Sequence, residues 1–177
     1  ASLVAHIKNT RTPFSIDFGV GDVIVPKQEK RKIPTQLDDF TSPTVNTYSL
    51  ETTIAEKIDA ILSLMEFSSR MKDYYDIYYL ANKFDFDGKV LTEALKKTFD
   101  NRGHAFTIEQ FGQVMSFADD SAMQKKWKAF CRKIDTQTDD FNTVLKIIGM
   151  FLTKPFTVAV EGKEFTEKWS SADSEWM

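Results

Sequence analysis

Ser69-Arg-Met-Lys-Asp-Tyr-Tyr-Asp-Ile-Tyr-Tyr-Leu80 is the stretch of sequence that reveals most about the fold of this chain. Its apolar residues recur at helical spacing, which puts four of them on one inward face: Tyr74, Ile77, Tyr78 and Ala81. The residues from Leu50 to Met65 show the same period, and Ser49 before them is a suitable N-cap. The sequence therefore predicts two consecutive amphipathic helices.

Four more helices are predicted after this pair. Each begins near a residue type that commonly caps a helix N-terminus: Asp87, Thr107, Ser121 and Thr138. Gly103 lies just beyond the third helix, where glycine often ends a helix. The sixth helix is predicted to end at Pro155, because proline lacks the N–H that a helix interior requires.

Strands are predicted only before the helices. Residues 14–18 alternate apolar and polar side chains, and residues 23–25 follow a glycine-containing turn. Residues 26–47 contain three prolines and no lasting period, so we predict a loop there. The predicted fold class is α+β, mainly a helical bundle with a few N-terminal strands. We divide it at residue 47, into residues 1–47 and a helical region at 48–177.

Composition excludes several functional classes. The 177 residues carry a net charge of -3, which argues against a surface wholly devoted to nucleic acid. One cysteine rules out an internal disulfide, and two histidines rule out a His-rich metal site. Seven glycines form neither a P-loop nor a dinucleotide-binding loop. The longest apolar run, Ile147–Leu152, is too short for a membrane span, so we expect a cytoplasmic protein without a membrane partner.

Charged residues at the edge of a buried helix face form the strongest candidate site. Lys57 lies one turn from two isoleucines of the first helix, and Asp73 borders the apolar stripe of the second. Arg70, Lys72 and Asp76 complete the group. Such charges cost free energy unless they are paired. The group is therefore either a set of structural ion pairs between two helices or an anion site in which the cations hold phosphate oxygens.

Three other features have two interpretations each. Asp17, between two apolar residues, is either a solvent-facing strand residue or a metal ligand that needs further carboxylates. The basic run at residues 27–32 is either a solvated loop or a nucleic-acid contact. The fifth predicted helix is either an amphipathic helix with a solvated polar face or a contact for a phosphate backbone. It carries five cations: Lys125, Lys126, Lys128, Arg132 and Lys133.

The candidate residues also carry a resemblance to a known family. The chain resembles the AbiEii family, nucleotidyltransferase toxins of type IV toxin–antitoxin and abortive-infection systems, in these residues: Ile16–Asp22, Pro26, Tyr48–Glu51, Ala55–Lys57, Ser69–Asp73 and Tyr75-Asp76. The resemblance implies a polymerase-β-like nucleotidyltransferase core, to which the strands would belong. It also implies NTP and Mg²⁺ binding, a cognate antitoxin, and nucleotide transfer to an acceptor that is RNA in some members.

Roles follow from this resemblance residue by residue. Asp17 resembles a metal carboxylate of the core, and Lys57 the lysine that faces the triphosphate. Arg70 and Lys72 match the phosphate-binding part of the third family motif, and Asp73 and Asp76 match its candidate catalytic carboxylates. The family's glycine motif and Asp-x-Asp pair have no match here. We therefore expect the C-terminal part of a nucleotidyltransferase, inactive alone; the alternatives are a non-catalytic binding or regulatory module and an unrelated helical domain.

Overall fold

Six α-helices form the body of the part that the structure describes. This computed structural model covers residues 1–134 and 138–177, and its fold is α+β, about 53% helical. The helices are α1 (Leu50–Leu64), α2 (Met71–Lys83), α3 (Gly88–Arg102), α4 (Ile108–Ser116), α5 (Ser121–Ile134) and α6 (Phe141–Glu161). The six predicted helices are confirmed, although a polymerase-β-like core is not established by this architecture.

Local capping chemistry explains where most helices begin. The Ser49 side chain accepts a hydrogen bond from the Thr52 amide, and Asp87 accepts two from the first turn of α3. Thr107 and Gln110 form a reciprocal capping box at α4. These predicted caps are confirmed.

Two predicted caps are wrong by one or two residues. At α5 the Asp120 carboxylate, rather than Ser121, accepts from the amides of Ala122 and Met123, both at 2.8 Å. At α6 the cap is Asp140, which accepts from the Thr143 amide at 2.9 Å, rather than Thr138. In both places a carboxylate takes the position and also complements the positive end of the helix dipole.

The predicted end of α6 at Pro155 is also wrong, since the helix continues to Glu161. Pro155 has no N–H to donate to the carbonyl of Phe151, four residues earlier. The indole Nε1 of Trp176 donates to that carbonyl instead, at 2.9 Å. Trp176, 25 residues further along the chain than Phe151, therefore supplies the hydrogen bond that proline removes, and α6 continues beyond Pro155.

The core lies between α6 and the helices around it. Helix α6 packs against α2, α3 and α4, while α1 packs against α3 and α2. Among the described residues, α6 is the one helix long and apolar enough to cross a membrane by length and composition. Nine of its residues are buried inside the protein, so its apolar character is explained by its place in the core.

Seven short strands form three antiparallel sheets in the described residues. The strands are β1 (Ser2–Ile7), β2 (Thr10–Ser15), β3 (Glu29–Lys32), β4 (Thr44–Thr47), β5 (Phe86–Asp87), β6 (Lys168–Ser170) and β7 (Glu175–Trp176). β1 pairs with β2, β3 with β4, and β6 lies between β5 and β7. The small third sheet fastens the C-terminal residues to the start of α3.

The strand predictions are confirmed only in part. The first residues do form strands, but the register of β2 with β1 ends at Ser15, and residues 16–18 and 23–25 lie outside the strands. The predicted loop at residues 26–47 instead contains the β3–β4 hairpin. The proposed division into residues 1–47 and 48–177 stays a prediction.

Candidate functional site

Lys57 lies between two carboxylates at the contact of α1 and α2. Its Nζ is 3.1 Å from Oδ1 of Asp73 and 2.5 Å from Oδ2 of Asp76. Only 17% of the Lys57 side chain is exposed, against 4% for Asp73 and 20% for Asp76. The predicted proximity of these three side chains is therefore confirmed, and the low exposure strengthens their attraction.

Two further cations complete the charged cluster, which we define as Lys57, Arg70, Lys72, Asp73 and Asp76. Nε of Arg70 lies 2.5 Å from Oδ2 of Asp73, and Nζ of Lys72 lies 2.5 Å from Oδ2 of Asp76. Arg70 and Lys72 are 56% and 71% exposed, so their charges face solvent. With three cations against two carboxylates, the cluster carries a formal charge of +1 (3 − 2).

One oxygen of the cluster has no hydrogen-bond donor. Oδ2 of Asp73 is buried and lies 2.5 Å from Nε of Arg70, in an ion pair that lacks the alignment of a hydrogen bond. The other oxygen of Asp73 accepts from Lys57. Each oxygen of Asp73 therefore faces a cation, one from α1 and one from the turn before α2.

The turn between α1 and α2 fixes the backbone before Arg70. The Ser68 hydroxyl accepts from the Arg70 amide at 3.1 Å. Nζ of Lys126, on α5, donates to the carbonyls of Glu66 and Ser68 at 2.8 and 3.0 Å. Helix α5 therefore supports the turn that carries Arg70 into the cluster.

Asp17 makes no hydrogen bond or ion pair with the charged cluster among the described residues. It is exposed and follows the end of β2, so its predicted place within a strand is wrong. Residues 1–134 and 138–177 contain no group of three or more His, Cys, Asp or Glu side chains that could hold a metal ion. The described residues do not by themselves fit a magnesium site, and the metal role of Asp17 stays a prediction.

A second buried ion pair was missed by sequence reasoning. Asp59 is 1% exposed, and its carboxylate lies 2.6 Å from Nη1 of Arg102 and 2.7 Å from Nδ1 of His104. Arg102 also pairs with Glu56. Burial raises the pKa of Asp59, and the hydrogen bond to His104 opposes that rise. This network ties α1 to the end of α3, and its sequence signal is an aspartate beside the isoleucines that form the buried stripe.

The tyrosines of α2 serve mainly in packing, as their spread around the helix predicts. Tyr74 is fully buried against Phe141, and burial raises its pKa. Tyr75 contacts Phe130 of α5, at a centroid distance of 5.9 Å. Tyr78 donates to the carboxylate of Asp139. These contacts hold α2 against α5 and α6.

Comparison with known protein families adds the decisive observation. The model described as "Nucleotidyl transferase AbiEii toxin, Type IV TA system" matches residues 2–147. The chain belongs to the AbiEii family. No curated protein and no solved structure matches it. The resemblance inferred from the sequence motifs is thus confirmed over most of the chain.

Membership of the AbiEii family gives the functional class of this chain but assigns no role to its individual residues. The family is one of nucleotidyltransferase toxins, and a type IV toxin–antitoxin system implies a cognate antitoxin. Nucleotidyltransferases generally use divalent metal ions to neutralise phosphate charge. The matched region contains the whole charged cluster and α5.

Proposed function

We propose that this AbiEii chain contributes the triphosphate-facing helix pair of a nucleotidyltransferase. In this proposal Lys57, Arg70 and Lys72 bind phosphate oxygens of an NTP. Asp73 and Asp76 orient these cations, and one of them accepts the proton of the attacking hydroxyl. The observation that carries the proposal is the gathering of three cations around Asp73 and Asp76, two of which, Arg70 and Lys72, are more than half exposed.

The exposed cations supply the means of phosphate recognition. Arg70 and Lys72 each bond a carboxylate of α2 within one turn, yet more than half of each side chain is exposed to solvent. Arginine binds phosphate through its planar fork, and lysine as a point charge. Since the cluster has one cation in excess, an incoming polyphosphate meets a net attraction.

The metal carboxylates belong to a second part of the proposal. Nucleotide transfer relies on metal ions that clamp the phosphate oxygens, and the described residues do not form such a site. We infer that the family's glycine motif and Asp-x-Asp pair come from polypeptide outside this sequence. This chain alone would then be inactive in transfer. Reading the codons upstream of Ala1 tests the inference: those motifs in frame support it, and an immediate stop codon contradicts it.

Binding calorimetry tests the role of Lys57. The protein, extended by any in-frame upstream sequence, is titrated with each NTP in the presence of Mg²⁺. Loss of a charge-assisted hydrogen bond costs about 1.5–3 kcal/mol, so Lys57→Ala should weaken binding roughly 10- to 150-fold. Lys97→Ala is the control, because Lys97 is 51% exposed and pairs with Glu93, outside the charged cluster. Equal affinity of wild type and Lys57→Ala would refute the assignment.

A non-catalytic binding or regulatory module is the second candidate function. It is favoured by one observation, that the described residues include no group of three or more His, Cys, Asp or Glu side chains that could hold a metal ion. In such a module the cluster is structural. Asp73→Asn should then lower the melting temperature and leave NTP binding unchanged, whereas a substrate-binding Asp73 predicts altered binding.

A further inference from the structure

Tyr79 is the exposed aromatic residue of α2. It is 49% exposed, whereas Tyr74 is fully buried and Tyr75 is half-buried. The rings of Tyr75 and Tyr79 are stacked, with their centroids 6.3 Å apart and an angle of 25° between their planes. Tyr75 in turn packs against Phe130 of α5. The Tyr79 ring is therefore supported by a second ring, while about half of the residue stays open to solvent.

Tyr79 shares a face of α2 with part of the charged cluster. Intervals of three and four residues, which make helix residues neighbours, join four members of this face: Lys72, Tyr75, Asp76 and Tyr79. Aromatic side chains of a helix point back toward its N-terminus, which directs the Tyr79 ring toward the turn of Asp76. Oδ2 of Asp76 lies 2.5 Å from the ammonium groups of both Lys57 and Lys72. The aromatic ring and two cations of the cluster therefore meet at neighbouring turns of α2.

The distance along α2 suits a ligand that has a charged end and a planar end. From Lys72 to Tyr79 the helix rises about 10 Å, at about 1.5 Å per residue. The cations of the charged cluster attract phosphate oxygens at one end of this span. At the other end the Tyr79 ring offers a surface on which flat aromatic groups stack. One nucleotide can therefore contact both features at once.

We propose that Tyr79, supported by Tyr75, is the surface on which the base of the bound nucleotide stacks. The inference rests on the proposed function, in which the charged cluster binds the phosphates of the same molecule. Every base has an aromatic face, so stacking accepts all four bases without reading their hydrogen-bonding edges. Tyr79 then contributes affinity for the nucleotide and holds its base, and it does not select one NTP.

Calorimetry with two kinds of ligand tests the proposal. The protein, extended by any in-frame upstream sequence, is titrated in Mg²⁺ with each NTP and with inorganic tripolyphosphate, which has the phosphates but no base. Tyr79→Ala should weaken binding of every NTP roughly 5- to 150-fold and leave tripolyphosphate affinity unchanged. Tyr79→Phe should retain wild-type NTP affinity, because the ring is kept. Circular dichroism checks that each variant is folded.

Phe40→Ala is the control, because Phe40 is an exposed aromatic residue outside α2, between β3 and β4. It should leave the affinity for every NTP unchanged. Full NTP affinity of Tyr79→Ala would overturn the proposal, as would an equal loss for NTP and tripolyphosphate. A loss in Tyr79→Phe as large as in Tyr79→Ala would overturn stacking, since the hydroxyl would then make the contact. A loss confined to one NTP would do the same.

Lys57→Ala separates this inference from the proposed function, because it should weaken binding of both NTP and tripolyphosphate. If Lys57→Ala weakens both ligands and Tyr79→Ala changes neither, only the present inference fails. If Lys57→Ala changes neither and Tyr79→Ala weakens NTP alone, the phosphate role of the cluster fails and the stacking surface stands. If neither ligand binds the wild-type protein, both are overturned.

Discussion

Replacement of Trp176 by phenylalanine should destabilise the helical body by leaving a buried carbonyl without a donor. In α6 the carbonyl of Phe151 has no N–H partner at Pro155, and it accepts from Nε1 of Trp176 at 2.9 Å. Phe151 is fully buried, so water cannot replace the indole. Phenylalanine keeps an aromatic ring against Phe151 but has no hydrogen-bond donor.

The magnitude follows from the burial of that carbonyl. A buried acceptor left unsatisfied costs about 1–3 kcal/mol in the free energy of unfolding. The smaller ring adds a packing loss that is independent of the hydrogen bond. Pro155→Ala separates the two contributions, because alanine has a backbone N–H that can bond the carbonyl of Phe151 within the helix. In that background the cost of Trp176→Phe should be smaller by about 1–3 kcal/mol.

Urea unfolding followed by far-ultraviolet circular dichroism measures this coupling. The four proteins of the double-mutant cycle are wild type, the two single variants and Trp176→Phe/Pro155→Ala. Their urea midpoints should shift while the slope of free energy against urea stays constant. An equal cost of Trp176→Phe with proline and with alanine at position 155 would show that Trp176 does not substitute for the missing amide.

Three further predictions concern Arg102, Gly88 and Tyr78. Arg102→Ala should cost about 1.5–3 kcal/mol at neutral pH, because buried Asp59 keeps its hydrogen bond to His104 but loses the charged partner. The loss should shrink as pH falls through the raised pKa of Asp59. Gly88→Ala should lower the free energy of unfolding by about 1–3 kcal/mol, since the added Cβ would lie 2.5 Å from the Glu167 carbonyl oxygen. At Gly112 an added Cβ meets open space, so Gly112→Ala should stabilise α4 by about 0.5–1 kcal/mol. In the folded chain the pKa of Tyr78 is raised from its ordinary value of about 10 to about 12. The free energy of unfolding should therefore fall as pH rises from about 10 to about 12, because the folded chain binds the tyrosine proton more tightly than the unfolded chain does. This fall should be smaller in Tyr78→Phe.

Each of these has a direct measurement. Urea unfolding across a pH series tests Arg102→Ala, and a loss that stays constant down to acid pH contradicts the burial of an ionised Asp59. Melting temperatures compare the two glycine variants, and similar values for both would exclude the predicted clash. Urea unfolding in alkaline buffers compares wild type with Tyr78→Phe. An equal loss of stability with rising pH in both proteins would show that ionisation of Tyr78 does not cause the loss.

Helix positions were predictable from sequence because caps and apolar periods act within a few residues. Ser49, Asp87 and Thr107 act on amides two or three residues away. The end of α6 was not predictable by the same means. The proline rule is local, whereas the bond that overrides it comes from Trp176, which is 25 residues from Phe151. The β3–β4 hairpin was missed for a similar reason, since its pairing joins polar segments across a proline-containing stretch.

The candidate site was predictable where its residues share neighbouring helix turns. Lys57, Asp73 and Asp76 border apolar stripes that must face each other, so their contact follows from the helical period. The pairing of Asp59 with Arg102 was not predictable, because the partners are 43 residues apart.

The β1–β2 hairpin has a practical consequence for handling this protein. In the described sheet each strand has one unpaired edge, and Leu3, Ile7 and Phe14 are 42%, 72% and 44% exposed. Exposed apolar strands with free edges are templates for further strand addition and aggregation. Preparations of this sequence should therefore become turbid with rising concentration, and a Lys or Glu placed at Ile7 should delay that turbidity while the helical body stays folded.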